Sequence, residues 1–232
     1  GPATVDRWLE ADAVREERAR FREALGAIAP SAGGRPVLEF MHYELPHSPY
    51  LLARPGAARH GHARSFERWM AGNRGLVESV RHDYELQVEV LDDEMGSWID
   101  RLKTSGLWDR ALVVVTADHG VSWKAEAPGR QLSEATADMI LPVPLFIKLP
   151  GQRTPDVSSV DVQAIDLLPT IAAVVGVDVP WTVAGRNIYA TSDVERKKIA
   201  IAGDGRRFEY PPDFAVTVRR TPRPGVNPSS FP

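Results

Sequence analysis

The chain has 232 residues, of which 43% are hydrophobic and 25% charged, enough apolar surface to bury a sizeable core. Its formal net charge of −3 provides no broad attraction for nucleic acid or for an anionic membrane, so we expect no nucleic-acid partner. The absence of cysteine excludes disulfides, zinc–thiolate sites and cysteine nucleophiles. No segment approaches the roughly 20 consecutive apolar residues of a membrane span, so the chain as given is predicted to be soluble.

Two helices are predicted in the first half of the chain. Residues 4–28 place apolar side chains on one face, and a second helix repeats them more regularly, at intervals of three and four residues. Its apolar positions are Val77, Val80, Tyr84, Val88, Leu91, Met95, Trp98 and Leu102. Gly106 is a suitable residue for the end of this helix, and the unpatterned residues 51–75 before it predict a long surface loop.

The remaining elements alternate between strands and helices. Short apolar or β-branched runs predict strands at 36–41, 112–116, 143–148, 199–202 and 214–218. Residues 166–175 predict a helix that ends at Gly176, and the Pro-rich tail from about residue 219 is expected to be loosely ordered. This order predicts one domain over residues 1–232 of the α/β class, in which helices flank a mixed, mainly parallel sheet with its core at about 36–190.

Ionisable residues follow two of the predicted strands. His42 and His47 follow the first, and Asp118, His119 and Gly120 follow the strand at 112–116. Because the carboxyl ends of parallel strands lie at one edge of a sheet, we expect the two groups to meet there. Gly120 would allow a tight turn that leaves the carboxylate and the imidazole before it free to bind a common ion.

Each of these candidates also has a purely structural interpretation. An isolated Asp-His-Gly can be a turn in which the Asp accepts hydrogen bonds from nearby amides. His42 alternates with Phe40 and can face a core as readily as a ligand. Arg130 and Lys124, in the loop after the Asp-His-Gly, are either contacts for a phosphate or sulfate or solvated surface cations. The acidic run 92–94 is interpreted as a solvated helix face.

Longer stretches resemble the sulfatase and alkaline-phosphatase superfamily. Residues 92–96 and 102–120 resemble the helix and strand that lead to the family's metal-binding Asp-His-Gly. Residues 143–151 resemble its next core strand, and residues 162–185 its following helix and closing turn. The loop Leu45-Pro46-His47-Ser48-Pro49-Tyr50 resembles the family's loop that bears a substrate-side histidine. The closest likeness is to bacterial membrane-anchored sulfatase-like proteins, and lipoteichoic acid synthase-type phosphotransferases are more distantly similar.

This resemblance implies a site and a substrate class. Asp118 and His119 would bind a divalent metal ion, with manganese or zinc favoured over calcium or magnesium because calcium prefers an all-oxygen shell. His47 would act as a general acid or as an anion contact, and His42, Arg130 and Lys124 are candidate substrate contacts. The substrate would be a phosphate or sulfate ester, either free or linked to a glycan or lipid, with phosphoester chemistry slightly favoured.

The resemblance also implies a region that residues 1–35 are too short and too helical to contain. In the family, an N-terminal region supplies further acidic metal ligands and a Thr, Ser or modified Cys nucleophile. We therefore expect this chain to be the C-terminal portion of a larger hydrolase or transferase, with the N-terminal portion of the fold missing and little activity alone. The parent protein would lie at the extracytoplasmic face of a bacterial membrane, held there by upstream segments.

Two other functions were considered from the sequence. A non-catalytic sulfatase-fold domain could bind a partner, a glycan or a lipid headgroup. A serine hydrolase that uses Asp118 and His119 is disfavoured, because the chain has no Gly-x-Ser-x-Gly turn and adjacent residues do not easily form a linear proton relay.

Overall fold

The computed structural model describes residues 2–31, 36–58, 73–158, 160–190 and 196–214, which form two compact units. The first unit comprises the described part of Gly1–Thr116 together with Val121–Arg130 and Leu145–Thr154. The second comprises Ala117–Gly120, Gln131–Pro144 and the described part of Pro155–Pro232. The predicted loose tail, most of the predicted strand at 214–218 and most of the predicted loop at 51–75 lie outside the described residues, and the single domain stays a prediction.

Two long helices dominate the first unit, and both were predicted. Helix α1 is Pro2–Ala27 and helix α2 is Arg74–Thr104. The side chain of Asn73 caps the start of α2 by accepting a hydrogen bond from the N–H of Leu76 at 3.1 Å. Gly106 follows the last turn with φ of 71°, the left-handed conformation that glycine adopts without strain, so the predicted end of α2 is confirmed.

The buried face of α2 contains two polar residues among the apolar ones. Its buried side chains are Val77, Val80, Gln87, Val90, Glu94 and Leu102. Glu94 accepts a hydrogen bond from Arg18 Nε at 2.6 Å and another from the Tyr43 hydroxyl, so it joins α1 to α2. The predicted solvated face is therefore wrong for Glu94. The preceding acids, Asp92 and Asp93, are exposed and pair with Arg54.

Among its described residues, the first unit also contains six short strands. They are β1 Leu52–Ala53, β2 Ala57–Ala58, β3 Val113–Thr116, β4 Ser122–Lys124, β5 Ala127–Gly129 and β6 Leu145–Lys148. Strands β1 and β2 form one antiparallel pair, and β4 and β5 form another. Strand β3 pairs antiparallel with β6, in a register that places Val113 opposite Lys148 and Thr116 opposite Leu145.

The α/β class is confirmed, but the strand pairing differs from the prediction. Every strand pair formed by the described residues is antiparallel, whereas a mainly parallel sheet was predicted. The segment 36–41 belongs to no strand pair of the described chain, and its Phe40 side chain is 86% exposed. An apolar pattern indicates that a segment is extended, but it does not specify which strand lies beside it.

Three apolar clusters hold the first unit together. One joins Ile28, directly after α1, to Leu102 of α2 and Val113 of β3. A second packs Leu45 and Leu52 against Val90 in the middle of α2. A third surrounds Val77 and Val80 near the start of α2. Helix α2 contributes to all three clusters, so the loops of this unit pack against it.

The described part of the second unit contains short helices and a hairpin. Its elements are α3 Ala137–Ile140, a 3₁₀ turn at Ala164–Asp166, α4 Leu167–Val175, β7 Lys198–Ile201 and β8 Arg207–Tyr210. Gly176 ends α4 with φ of 73°, as predicted. Strands β7 and β8 pair antiparallel, and apolar residues of and near this hairpin pack on Leu132, Ala137 and Ile140.

A buried carboxylate fixes the start of α4. Asp166 is fully buried and accepts hydrogen bonds from the backbone N–H groups of Gln163 at 2.9 Å and Arg186 at 2.8 Å. It also forms an ion pair with Arg196. Because a buried carboxylate requires partners for its charge, this cluster fixes three separate stretches of the chain relative to one another.

Candidate functional site

Asp118 and His119 form a compact pair directly after β3. Asp118 Oδ1 accepts a hydrogen bond from the His119 backbone N–H at 2.8 Å. His119 Nδ1 lies 2.9 Å from the Gly120 carbonyl oxygen, and because a carbonyl only accepts, Nδ1 carries the proton. In the neutral ring Nε2 then carries the lone pair, and it lies 3.6 Å from Asp118 Oδ2. The Asp118 side chain is 79% exposed and that of His119 is 33% exposed, so both are accessible to an ion from solvent.

Glycine is required at position 120 by a close approach of two backbone segments. The Gly120 N–H donates to the Ile140 carbonyl at 2.7 Å. A Cβ atom on residue 120 would lie 2.2 Å from the Met139 carbonyl oxygen, far inside contact distance. Glycine is therefore required here because the backbone passes so close to α3. The φ angle of Gly120 is not in the left-handed region, so backbone conformation is not the reason.

The two side chains have the chemistry of divalent metal ligands. Two ligand atoms that each lie about 2.1 Å from one ion are at most about 4.2 Å apart. The 3.6 Å between His119 Nε2 and Asp118 Oδ2 satisfies this limit. Across the part of the chain that the structure describes, no group of three or more His, Asp or Glu side chains has the geometry of a metal site. The pair therefore fits two ligands of a coordination shell that needs four or more.

A second pair, in the first unit, brings together two of the predicted residues that are 83 positions apart. His47 Nε2 lies 3.2 Å from a guanidinium nitrogen of Arg130, at the end of β5. His47 Nδ1 lies 2.6 Å from the Ser48 carbonyl oxygen, so Nδ1 carries the proton and Nε2 accepts from Arg130. Both residues are exposed, and Arg130 has further N–H donors for an anion.

Three aromatic rings pack together beside this histidine loop. Tyr50 lies 5.6 Å from Tyr84 and 6.3 Å from Trp123 between ring centroids, and Tyr84 lies 5.1 Å from Trp123. Burial raises the pKa of Tyr50, the neighbouring Tyr84 raises it further, and the positive charge of Arg130 lowers it. Burial is also the main cause of the raised pKa of Tyr84. The tyrosines thus remain neutral at physiological pH, and Arg130 is near enough to act electrostatically on Tyr50.

The other two predicted substrate contacts lie in different surroundings. Lys124, at the end of β4, lines a cavity of about 290 Å³ with Arg74, Arg81 and Trp123. His42 is exposed and follows the apolar segment 36–41. These surroundings neither support nor contradict the prediction that Lys124 and His42 contact the substrate.

One residue of this region was not predicted as functional. Gln87 is fully buried on α2 and hydrogen-bonds to the backbone of the loop that carries His47. Its spacing did contain a signal, since it lies seven residues after Val80 and four before Leu91 on the apolar stripe of the helix. A polar residue at such a position must find buried partners.

Comparisons with known proteins agree with these motifs. The sulfatase family model matches residues 16–177. The endo-4-O-sulfatase of Bacteroides thetaiotaomicron is 27% identical over 117 residues, which are 50% of this chain and 23% of that protein. Arylsulfatase K of Bos taurus is 29% identical over 117 residues, which are 50% of this chain and 21% of that protein. Among solved structures, phosphonate monoester hydrolase SpPMH from Silicibacter pomeroyi is 32% identical with a TM-score of 0.47, over 54% of this chain and 26% of that one.

The matched part of the chain is thus less than a quarter of the length of both curated relatives. The family match, in contrast, covers more than half of the chain and includes both the His47 loop and the Asp-His-Gly motif. This chain therefore belongs to the sulfatase family, within the superfamily that its motifs resemble.

Proposed function

We propose that this chain supplies two functions to a sulfatase-type reaction at a sulfate or phosphate ester. Asp118 and His119 hold a divalent metal ion, and His47 and Arg130 contact an anionic ester. The observation that carries the proposal is the 3.6 Å separation of Asp118 Oδ2 and His119 Nε2, in an Asp-His-Gly motif inside the family match.

The metal-binding proposal rests on the tautomer and orientation of His119 and on the charge of Asp118. The Gly120 carbonyl holds the proton of His119 on Nδ1, which leaves Nε2 as the donor atom. Such a carbonyl contact fixes the tautomer and orientation of a histidine ligand. The charge of Asp118 and the neutral imidazole suit manganese or zinc. When bound, the ion supplies charge neutralisation for the ester and lowers the pKa of an attacking hydroxyl.

The ester-binding proposal rests on the pair in the first unit. Arg130 offers planar N–H donors that match the oxygens of a sulfate or phosphate group. His47 has its Nδ1 engaged by Ser48, so any contact with an ester uses Nε2. With Nε2 unprotonated the ring accepts from Arg130, and with Nε2 protonated it donates to an ester oxygen or to the departing oxygen. Lys124 is proposed as a further contact for a charged part of the substrate, because it lines a cavity with Arg74 and Arg81, whose walls also include Glu78 and Glu126.

Metal titration of the chain tests the first function. Mn²⁺ should broaden the NMR signals of the Asp118 and His119 amides selectively, and isothermal titration with Zn²⁺ should give a weak single site. Asp118→Asn and His119→Gln should each weaken binding by roughly tenfold or more, since even changes beyond the ligands themselves cost about 10–100-fold. Asp156→Asn, an exposed carboxylate of the same unit, is the matched control.

Equal metal affinity in all four proteins would refute the metal site and favour a non-catalytic binding domain. Hydrolysis of 4-nitrophenyl phosphate and 4-nitrophenyl sulfate, assayed in this chain and in the full-length gene product, tests the reaction class. Asp118→Asn and Arg130→Ala should each reduce turnover, the second mainly by raising KM because it removes an ester contact. Turnover unchanged in both variants would exclude the proposed roles.

We also propose, from likeness to sulfatase-like membrane proteins alone, that the parent protein acts at the extracytoplasmic face of a bacterial membrane. No helix in the described ranges has the length and apolar character needed to cross a bilayer. Fractionation of cells, with protease added to intact spheroplasts, checks this location. Recovery of the full-length product in the cytosol, protected from protease, would contradict it.

A further inference from the structure

A fully buried amide lies in the middle of α2. Gln87 has no solvent exposure, and the buried side chains on either side of it along the helix, Val80 and Val90, are apolar. A buried amide costs free energy unless its polar atoms are bonded, so an apolar residue would be the simpler choice here. The presence of glutamine is therefore explained by what the amide binds.

The amide binds one loop through three hydrogen bonds. Its Oε1 accepts from the backbone N–H of Leu51 at 3.0 Å and of Leu52 at 3.2 Å, and these bonds use both lone pairs of the oxygen. Its Nε2 donates to the His47 carbonyl oxygen at 2.8 Å. All three partners are backbone groups within residues 47–52, so Gln87 acts on the path of the main chain.

This loop has two short-range backbone hydrogen bonds, from the His47 N–H to the Glu44 carbonyl at 2.6 Å and from the Leu51 N–H to the Pro49 carbonyl at 3.1 Å, but neither ties the loop to α2. Pro46 and Pro49 flank His47 and Ser48 and have no N–H to donate to a neighbouring strand. The ends of the loop are held by apolar contacts, since Leu45 and Leu52 pack on Val90. Between those ends the Tyr50 ring packs against Tyr84 of α2, and Gln87 takes the place of a strand partner by binding the backbone and the carbonyl of His47 itself.

We infer that Gln87 is the positioning residue for His47. It holds the backbone at a point from which Nδ1 reaches the Ser48 carbonyl and Nε2 faces Arg130. The functional meaning of this placement rests on the role proposed above for His47. The placement itself can be measured on the histidine ring without metal, substrate or turnover, so its failure and the failure of the proposed function are distinguishable.

The experiment is a long-range ¹H–¹⁵N correlation spectrum of the histidine rings in the full chain. In the wild-type protein His47 should show one protonated nitrogen, Nδ1, and one unprotonated nitrogen, Nε2. Gln87→Leu removes all three hydrogen bonds at similar volume and should move the two ring signals toward a tautomeric average. At a pH where the new carboxyl is ionised, Gln87→Glu keeps both acceptor bonds but places an oxygen against the His47 carbonyl, so under those conditions it should move the ring signals while the Leu51 and Leu52 amides remain protected from exchange.

Leu102→Ala is the matched control, because it also lowers stability from a buried position of α2 but lies in the cluster with Ile28 and Val113. It should leave the His47 signals unchanged at a similar loss of Tm. Unchanged ring signals in both Gln87 variants would overturn the inference, as would an equal change in Leu102→Ala. If Gln87→Leu does not fold, the ring signals of Gln87→Glu and the amide hydrogen exchange rates of the wild-type protein test the inference. Exchange of the wild-type Leu51 and Leu52 amides as fast as in an unstructured peptide would also overturn the inference.

Discussion

Replacing Gly120 with alanine should displace the backbone that positions Asp118 and His119, the two ligands of the proposed metal site. The new Cβ would lie 2.2 Å from the Met139 carbonyl oxygen, whereas such contacts do not occur below 3.0 Å. The turn after β3 must therefore move away from α3 by most of an ångström. The hydrogen bond from the Gly120 N–H to the Ile140 carbonyl, 2.7 Å long, would be stretched or broken by this movement.

The size of the effect follows from these two contacts. Forcing an extra carbon into a closely packed position costs about 1–3 kcal/mol, and the lost backbone hydrogen bond costs about 1 kcal/mol. The free energy of unfolding should thus fall by about 2–4 kcal/mol, which is less than the typical total of about 5–15 kcal/mol for a domain. The variant should remain folded, and its metal affinity can still be measured.

Chemical denaturation and Zn²⁺ titration of the folded variant would measure the two consequences. Gly203→Ala is the matched control in the same unit, because a Cβ at that position meets no atom within 4 Å. It should change neither the free energy of unfolding nor the metal affinity. Wild-type stability and wild-type metal affinity in Gly120→Ala would refute the argument that the approach to α3 positions Asp118 and His119.

Three other features of the fold make testable predictions. Asp166→Ala should lower the free energy of unfolding by about 3–5 kcal/mol, because it leaves Arg196 and two backbone N–H groups without their buried carboxylate; urea denaturation measures this, and a loss below about 1 kcal/mol would contradict it. Asn73→Ala should cost about 1 kcal/mol through loss of the helix cap, visible as a lower Tm, and an unchanged Tm would exclude a capping contribution. The free energy of unfolding should fall above about pH 10, the ordinary tyrosine pKa. Burial raises the pKa of Tyr50 and Tyr84, so the folded state keeps protons that the unfolded state releases. Denaturation at several alkaline pH values, with phenolate absorbance, checks this, and ionisation of both tyrosines near pH 10 without loss of stability would disprove it.

The helices could be predicted because local interactions determine them. The three- and four-residue spacing of apolar side chains is a direct property of α2, and it requires no knowledge of the partner that covers them. The ends were equally local, since Gly106 and Gly176 both adopt the left-handed conformation that stops a helix. Family membership followed from the same kind of information, because the Asp-His-Gly motif and its neighbours are continuous in sequence.

Strand pairing could not be predicted in the same way. The segments 112–116 and 143–148 were identified as strands, but their antiparallel register depends on contacts between residues about 30 positions apart. The hairpin of β4 and β5 was missed because Ala127, Pro128 and Gly129 have low strand propensity, and position in the fold overrides propensity there.

The long-range polar contacts were the least accessible from sequence. The pairing of His47 with Arg130 joins two loops, and nothing in the composition of either loop specifies the other. Gln87 and Glu94 were detectable only as polar interruptions of an apolar stripe, a signal that indicates burial without identifying the partner. Individual candidates could thus be chosen from the sequence, whereas their grouping required the structure.

The ladder between β3 and β6 has a consequence for how this protein can be varied. Thr116 and Leu145 are the last paired residues of the two strands. The segment 117–144 therefore leaves and rejoins this strand pair at the same end. Doubling the length of a flexible loop closed in this way costs only about 0.6 kcal/mol, and the four paired residues of each strand remain unchanged. Extra residues placed in an exposed turn of this segment, such as the turn at Glu126 between β4 and β5, should therefore cost little, whereas residues 118–120, Arg130 and the buried residues of α3 must keep their positions.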